Sequence, residues 1–262
     1  MKLLAFLAWG FAACAGAQEI VTLKTRPGVT QSFFIAGMDG RKPRAAALLF
    51  VGSEGVIRLR VEGGKIHFQP GNFLPRSRRE FIRNGIVPVV LDVPTDQTDG
   101  MSEEFRAGSA HAGDVRAVVA EVKKRYPGVP VFLVGTSKGT ISVAYLAVAL
   151  ESEVAGAVLT STLFYEGPRH RPRPLLASFG WSKIRIPVLV VHHAADDCFA
   201  TPHYEAARLE RRFPLVTVKG GQPPKSGPCE PFSAHGFFGK EAETVDAIAA
   251  WMLGKPFAKD IH

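Results

Sequence analysis

The chain is 262 residues long and 46% hydrophobic, enough to bury a sizeable core in one globular domain and too apolar for a disordered protein. The formal net charge of +8 would suit an acidic partner. The arginines, however, stand in short groups such as Arg76, Arg78 and Arg79 or Arg169, Arg171 and Arg173 without interleaved aromatics, the pattern of a solvated surface rather than of a nucleic-acid site.

The N-terminus reads as an address. Lys2 precedes the apolar run 3–9, and Ala15-Gly16-Ala17 supplies the small-x-small pattern that a signal peptidase cuts after. Residues 1–17 are therefore expected to be a signal peptide, and residues 18–262 a single domain, secreted or periplasmic. The apolar run is too short to span a bilayer, so no stable membrane insertion is expected. Cys14 offers the alternative of a lipid-anchored protein, against which stands Phe11, at a position where a small aliphatic residue is usual. Once Cys14 leaves with the signal, Cys198 and Cys229 remain as an even pair in an oxidising compartment, and one disulfide between them is expected.

In the body of the chain, strand and helix patterns alternate. Ile20 to Lys24 and Gln31 to Ala36 read as an antiparallel lead-in, and Arg58 to Val61 with Ile66 to Phe68 as a surface hairpin turning at Glu62-Gly63-Gly64-Lys65. Apolar, β-branched runs at Ala45 to Val51, Ile86 to Val93, Val129 to Val134, Val154 to Leu159, Ile186 to His192 and Leu215 to Val218 read as buried strands. Helix-period stretches fall at Ala112 to Tyr126, Gly139 to Leu150, Pro202 to Phe213 and Glu241 to Leu253. Such alternation predicts an α/β fold, a mainly parallel twisted sheet covered by helices on both faces.

The chemistry begins at Gly135-Thr136-Ser137-Lys138-Gly139. A GxSxG pentapeptide is weak alone, but here it follows a buried strand and opens an alanine-rich helix, the setting in which the serine sits on a tight, strained turn. Gly135 and Gly139 leave room for that turn, since a side chain at either would collide with the neighbouring strand or helix. The helix N-terminus then directs free amides toward the place where an oxyanion would form.

From Ala45 to Trp251 the sequence resembles the α/β-hydrolase superfamily, on three segments in the order serine, acid, histidine. A looser likeness is to secreted bacterial members with paired histidines before the acid. The resemblance implies a mainly parallel sheet with an antiparallel start, the nucleophile after the fifth strand, the acid after the seventh and the histidine after the eighth.

In the acid segment, Val188 to Cys198, members commonly show a strand followed by HGxxD; here His193 stands in place of the glycine, and the register makes Asp196 the acid with Asp197 in reserve. The histidine segment, Cys229 to Phe238, lies between the last strand and the final helix and supplies His235, the group able to take the serine proton and return it. The resemblance further implies an oxyanion hole of two backbone amides. One belongs to Lys138. The other belongs to the loop Gly52-Ser53-Glu54-Gly55, with Ser53 the choice and Glu54 the runner-up.

His192, His193, Asp196 and Cys198 make a ligand-rich cluster, but adjacent strand residues point to opposite faces, so a shared metal ion is not expected. No phosphate-cradling loop or dinucleotide fingerprint is present, and no cofactor is expected. The interval where relatives insert a lid, Ser161 to Lys183, is short and holds Pro168, Pro172 and Pro174, so it cannot build a large helical cap. An open cleft favours small or extended substrates, and its arginines would favour anionic ones. The reading is a serine hydrolase cleaving a small-molecule carboxylic ester through an acyl-enzyme on Ser137. Thioester, amide or acyl-transfer chemistry would use the same residues, and a non-catalytic binding protein on the same fold is the alternative of another class.

Overall fold

Runs of Val, Ile, Leu and Ala that are buried on both faces make the centre of the molecule, as the all-buried patterns of Ala45–Phe50, Ile86–Leu91 and Val188–His193 demonstrate. The computed structural model describes residues 18–38, 40–69 and 71–262, so the expected signal peptide and Cys14 lie outside the described residues. One nine-stranded sheet is formed by β1 (Glu19–Arg26), β2 (Val29–Ile35), β3 (Ala45–Phe50), β4 (Ile86–Leu91), β5 (Val131–Ser137), β6 (Gly156–Thr162), β7 (Val188–His193), β8 (Leu215–Val218) and β9 (Asp260–Ile261). Their spatial order is β1-β2-β4-β3-β5-β6-β7-β8-β9.

The first two strands are the antiparallel lead-in, β1 against β2 and β2 against β4; every later pairing is parallel. Pro88 sits inside β4 although proline cannot donate to a ladder. The β2 pairing ends at Ile35 opposite Val89, one residue short of it. The expected hairpin is present as Arg60–Glu62 against Lys65–His67.

Helices α1 (Phe73–Arg76), α2 (Arg78–Arg83), α3 (Glu103–Ala107), α4 (Ser109–Arg125), α5 (Gly139–Ala149), α6 (His203–Leu209) and α7 (Glu241–Met252) complete the layers. On α4 the buried residues Val115, Val118, Val119 and Val122 recur at helical spacing and face the sheet. Helix α5 is buried almost all round, because it lies between β5, β6 and α3. Cores form on both sides of the sheet: Val118, Leu133 and Leu146 belong to one cluster, Val134, Val191 and Ile248 to the other.

Three strands run past their apolar signal: β5 through Ser137, β6 through Thr162 and β7 through His193. Helix α6 stops at Leu209, short of the expected Phe213. After β6 the chain makes only a two-residue ladder, Tyr165–Glu166 against Arg173–Pro174, and 3₁₀ turns at Leu176–Ser178 and Trp181–Lys183, so the lid region contains no α-helix. Among the described residues no helix is long and apolar enough to cross a membrane.

Candidate active site

Strand β5, in the middle of the sheet, delivers Ser137 at its carboxyl end with φ of 51°, a left-handed conformation that a non-glycine residue adopts at a cost. The turn closes only because its flanks lack side chains. A Cβ on Gly135 would lie 2.6 Å from the Gly139 carbonyl oxygen, and one on Gly139 would lie 2.1 Å from that of Phe50 in β3. Thr140 ties the elbow down, its hydroxyl donating to the Ser137 carbonyl at 2.6 Å and accepting from the Leu163 amide at 3.1 Å. Helix α5 starts at once at Gly139, so the positive end of its dipole lies at Ser137.

Beyond β7 the chain turns and buries Asp196 completely at its side chain. Its Oδ1 accepts from the Cys198 amide at 3.1 Å; its Oδ2 accepts from the Thr201 hydroxyl at 2.9 Å and from His235 Nδ1 at 3.1 Å. Burial pushes the carboxyl upward, but the neighbouring His192, whose Nε2 lies 3.5 Å from Oδ2, and the hydrogen-bonded His235 outweigh it and hold Asp196 well below the usual carboxylate range. An ionised Asp196 fixes the proton of His235 on Nδ1 and leaves Nε2 free as a base. Asp197, the reserve candidate, is exposed instead.

His235 rides on the 3₁₀ turn Ala234–Gly236, whose entry is capped by the Ser233 hydroxyl accepting from the His235 amide at 3.2 Å. Ser161 donates to the His235 carbonyl at 2.7 Å. Gly236 is obligatory here, because a Cβ would fall 1.9 Å from the Pro231 carbonyl oxygen. The histidine loop is further gripped by Arg76, which donates to Pro231 O at 3.1 Å and Gly236 O at 2.8 Å and pairs with Glu241 at 3.0 Å. Arg76 is thus no member of a solvated basic group: its side chain is 19% exposed and holds a loop in place. A disulfide joins Cys198 to Cys229, with the Cα atoms 4.6 Å apart, and so links the acid loop to the histidine loop.

Ser137 and His235 line one small hollow of about 20 Å³ together with Gly52, Ser53, Asn72 and Cys229. That is the room of about one water molecule, so a substrate must lie across the opening rather than within it. Ser53 is on this lining and Glu54 is not. Ser53 has φ of 49°, and the Glu54 side chain turns aside to meet Lys138 Nζ at 3.3 Å. A larger cleft of about 630 Å³, lined by Arg169, His193, Asp197 and Phe238, lies against Ser233 and Ala234 and includes neither Ser137 nor His235.

The paired histidines have separate duties. His192 Nε2 donates to Thr201 O at 2.8 Å, whereas His193 Nε2 donates to Gly220 O at 3.0 Å and its Nδ1 accepts from the Ala195 amide at 3.1 Å. Burial pushes His193 down, in keeping with a neutral ring. Among the described residues no three His, Cys, Asp or Glu side chains are grouped to hold a metal ion.

Known proteins share this fold. The family model described as serine aminopeptidase, S33 matches residues 96–212. Est1E from Butyrivibrio proteoclasticus with bound ferulic acid is similar in structure at 13% identity, covering 90% of this chain and 98% of that one with a TM-score of 0.63. An α/β serine hydrolase homologue from Coxiella burnetii is similar at 15% identity, 90% and 96% coverage and 0.57. XC6422 from Xanthomonas campestris, described as an α/β serine hydrolase without lid, is similar at 17% identity, 87% and 94% coverage and 0.58. The chain has the α/β-hydrolase fold. No curated protein matches its sequence. Within this fold the segment matched by the family model holds Ser137, Asp196 and the short lid, while the loop bearing His235 lies outside it.

Thr201 escaped the sequence reading. Its hydroxyl stands 3.1 Å from His235 Nδ1 as well as 2.9 Å from Asp196, so it closes a three-membered cluster around the Asp–His link. In the sequence it precedes Pro202 at a helix entry, which suggests no more than a cap.

Proposed function

We propose that the hydrolase cleaves carboxylic esters through an acyl-enzyme on Ser137, with His235 as base and Asp196 as its orienting acid. The observation that carries the proposal is the 3.1 Å bond between His235 Nδ1 and Asp196, with His235 and the left-handed Ser137 lining the same hollow. In this mechanism Ser137 Oγ attacks the carbonyl carbon while its proton passes to His235 Nε2. The oxyanion is met by the backbone amides of Lys138 and Ser53. Collapse expels the alcohol, which takes the proton back from His235. Water then attacks the acyl-enzyme with His235 again as base, and the carboxylic acid leaves.

The helix-free lid region favours small or extended esters over long-chain lipids. The Xanthomonas relative described as lacking a lid, and the ferulic acid on Est1E, support the same choice. The partial match to serine aminopeptidases favours a second reading, hydrolysis of an N-terminal peptide bond. Recognition of a free α-ammonium calls for a nearby carboxylate, and none lines the Ser137 hollow. A panel of p-nitrophenyl acetate, p-nitrophenyl butyrate, an acyl thioester and an aminoacyl p-nitroanilide decides among these. The ester reading predicts fastest turnover of the acetate, and fluorophosphonate labelling confined to Ser137. Dominant anilide cleavage would overturn it. The Cys198–Cys229 bond supports a further proposal, that the protein works outside the cytoplasm after removal of residues 1–17. N-terminal sequencing of the exported protein tests it, and is expected to begin at Gln18.

A further inference from the structure

The inference concerns a buried cation under the oxyanion loop and rests on the reading just proposed. Arg106, on α3, is 1% exposed. Its guanidinium has only neutral acceptors: Nη2 donates to Ser53 O at 3.0 Å, Nη1 to Ser142 Oγ at 3.2 Å and Nε to Met101 O at 3.4 Å. Burial pushes it down to about 10, which leaves it charged at neutral pH. A buried charge without a bonded counter-ion is expensive, and an apolar side chain of similar volume would fill the space at less cost. Stability of the core therefore does not explain the arginine.

Its contacts do. Ser53 belongs to the loop expected to give one oxyanion donor, and Ser142 lies in the first turns of α5, whose N-terminus gives the other. One planar side chain thus spans both walls of the hole. The loop closes down on it: a Cβ on Gly55 would stand 2.9 Å from Arg106 Nη2 and 2.8 Å from Met101 Cε, and Gly55 has φ of 84°. Ser53, held at φ of 49°, stays in the left-handed region while its carbonyl is bound from below. The backbone of Glu54 is tied from the same side, its carbonyl accepting from the Met101 amide at 3.0 Å.

We propose that Arg106 is a positioning residue of the oxyanion hole, its guanidinium bridging Ser53 O and Ser142 Oγ so that the loop amide and the α5 amide converge on one oxygen. It touches no substrate and acts through the backbone it holds. Because the hole acts on the tetrahedral state, its loss should lower kcat and leave KM nearly unchanged.

The test compares wild type, Arg106→Met, Arg106→Lys and Ser142→Ala on p-nitrophenyl acetate, with active sites counted by the end point of fluorophosphonate labelling and folding checked by near-ultraviolet circular dichroism. Arg106→Met should lose about 10²-fold in kcat per labelled site with KM within about twofold, since a displaced donor costs that much. The inhibition constant of an arylboronic acid, which mimics the tetrahedral state, should rise in parallel. Arg106→Lys and Ser142→Ala, each keeping part of the bridge, should fall between and combine non-additively. Full kcat per labelled site in any folded Arg106 variant would overturn the positioning role alone. If Arg106→Met fails to fold, full kcat in Arg106→Lys or additive loss in its combination with Ser142→Ala does the same. A wild type that neither labels nor turns over ester overturns the hydrolase reading with it.

Discussion

At Ser137 the backbone adopts a φ of 51°, and the cost of that choice is measurable. Removing the hydroxyl in Ser137→Ala should lower ester turnover by about 10⁶-fold, the scale seen where such a triad is dismantled. Ser137→Gly removes the same hydroxyl and also the Cβ that disfavours a left-handed residue by about 1–2 kcal/mol, offset by about 0.5–1 kcal/mol of extra freedom in the unfolded chain. Both variants should be inactive, and the glycine variant should melt a degree or two higher than the alanine variant. Equal or reversed melting temperatures would remove strain from the account of the elbow. At His235 the imidazole is the group proposed to accept the serine proton, so His235→Ala should be nearly inactive at every pH. The kcat/KM of the folded variant decides this, near-normal turnover placing the base elsewhere. Ser137, Asp196 and His235 could be singled out as candidates because each sits in a motif whose order follows from the chain path. Arg76, Arg106 and Thr201 could not, because their roles are defined only by contacts with residues far away in sequence, such as Pro231, Ser53 and His235.

Among the elements, the parallel strands were readable from apolar runs, yet the C-terminal ends of β5, β6 and β7 were not. The residues that carry β5 and β7 to Ser137 and His193 are Gly, Thr, Ser and His, whose polarity hides them from an apolar pattern although all but Ser137 are buried. Helices α1 to α3 were missed for the opposite reason: they are short and take their order from what they pack on. Helix α4 carries a testable oddity on its buried face. His111 is 1% exposed, lies 5.6 Å from the Phe105 ring and 6.0 Å from that of Phe50, and neither ring nitrogen has a protein partner. Burial first, then the charges of Arg106 and Arg26, push it down to about 3. Above the ordinary histidine value of about 6.5 the ring is neutral both folded and unfolded, and pH has no effect through it. Below that value the unfolded chain takes up a proton that the native state refuses, so stability falls as pH drops from about 6.5 toward about 3, by up to about 1.4 kcal/mol per unit. In His111→Phe this loss disappears. Urea unfolding at pH 7.5 and pH 5 should show the variant losing about 2 kcal/mol less than wild type between the two conditions. Parallel losses would mean that other groups govern the acid side.

In the whole molecule, the acid and the base arrive from different connections, Asp196 just after β7 and His235 between β8 and α7, and the sheet alone leaves both loops free to move at their tips. Two restraints bring them together. On the core side, Ser161 and Arg76 bind the His235 loop through its carbonyls. On the outer side, the disulfide ties Cys198, whose amide donates to Asp196, to Cys229, which lines the hollow with Ser137 and His235. The bond spans a sequence separation of 31 residues. For a loop of that length the chain-entropy account gives about 3.5 kcal/mol, an upper figure because the native state does not convert all of it into stability. Reduction, or Cys198→Ser with Cys229→Ser, should therefore lower the melting temperature by several degrees. Activity at room temperature should fall less steeply than stability, since Ser161 and Arg76 still hold the histidine, but it should fall, because about 1 Å of drift between acid and base costs up to about 10²-fold. The loss should grow as temperature approaches the lowered midpoint. Mass spectrometry of the protein alkylated without reductant comes first: a cross-linked peptide pair carrying Cys198 and Cys229 is expected, and two alkylated cysteines would show the loops joined by packing alone. With the bond demonstrated, unchanged melting and unchanged kcat after reduction would leave Arg76 and Ser161 as the restraints that keep Asp196 and His235 in register.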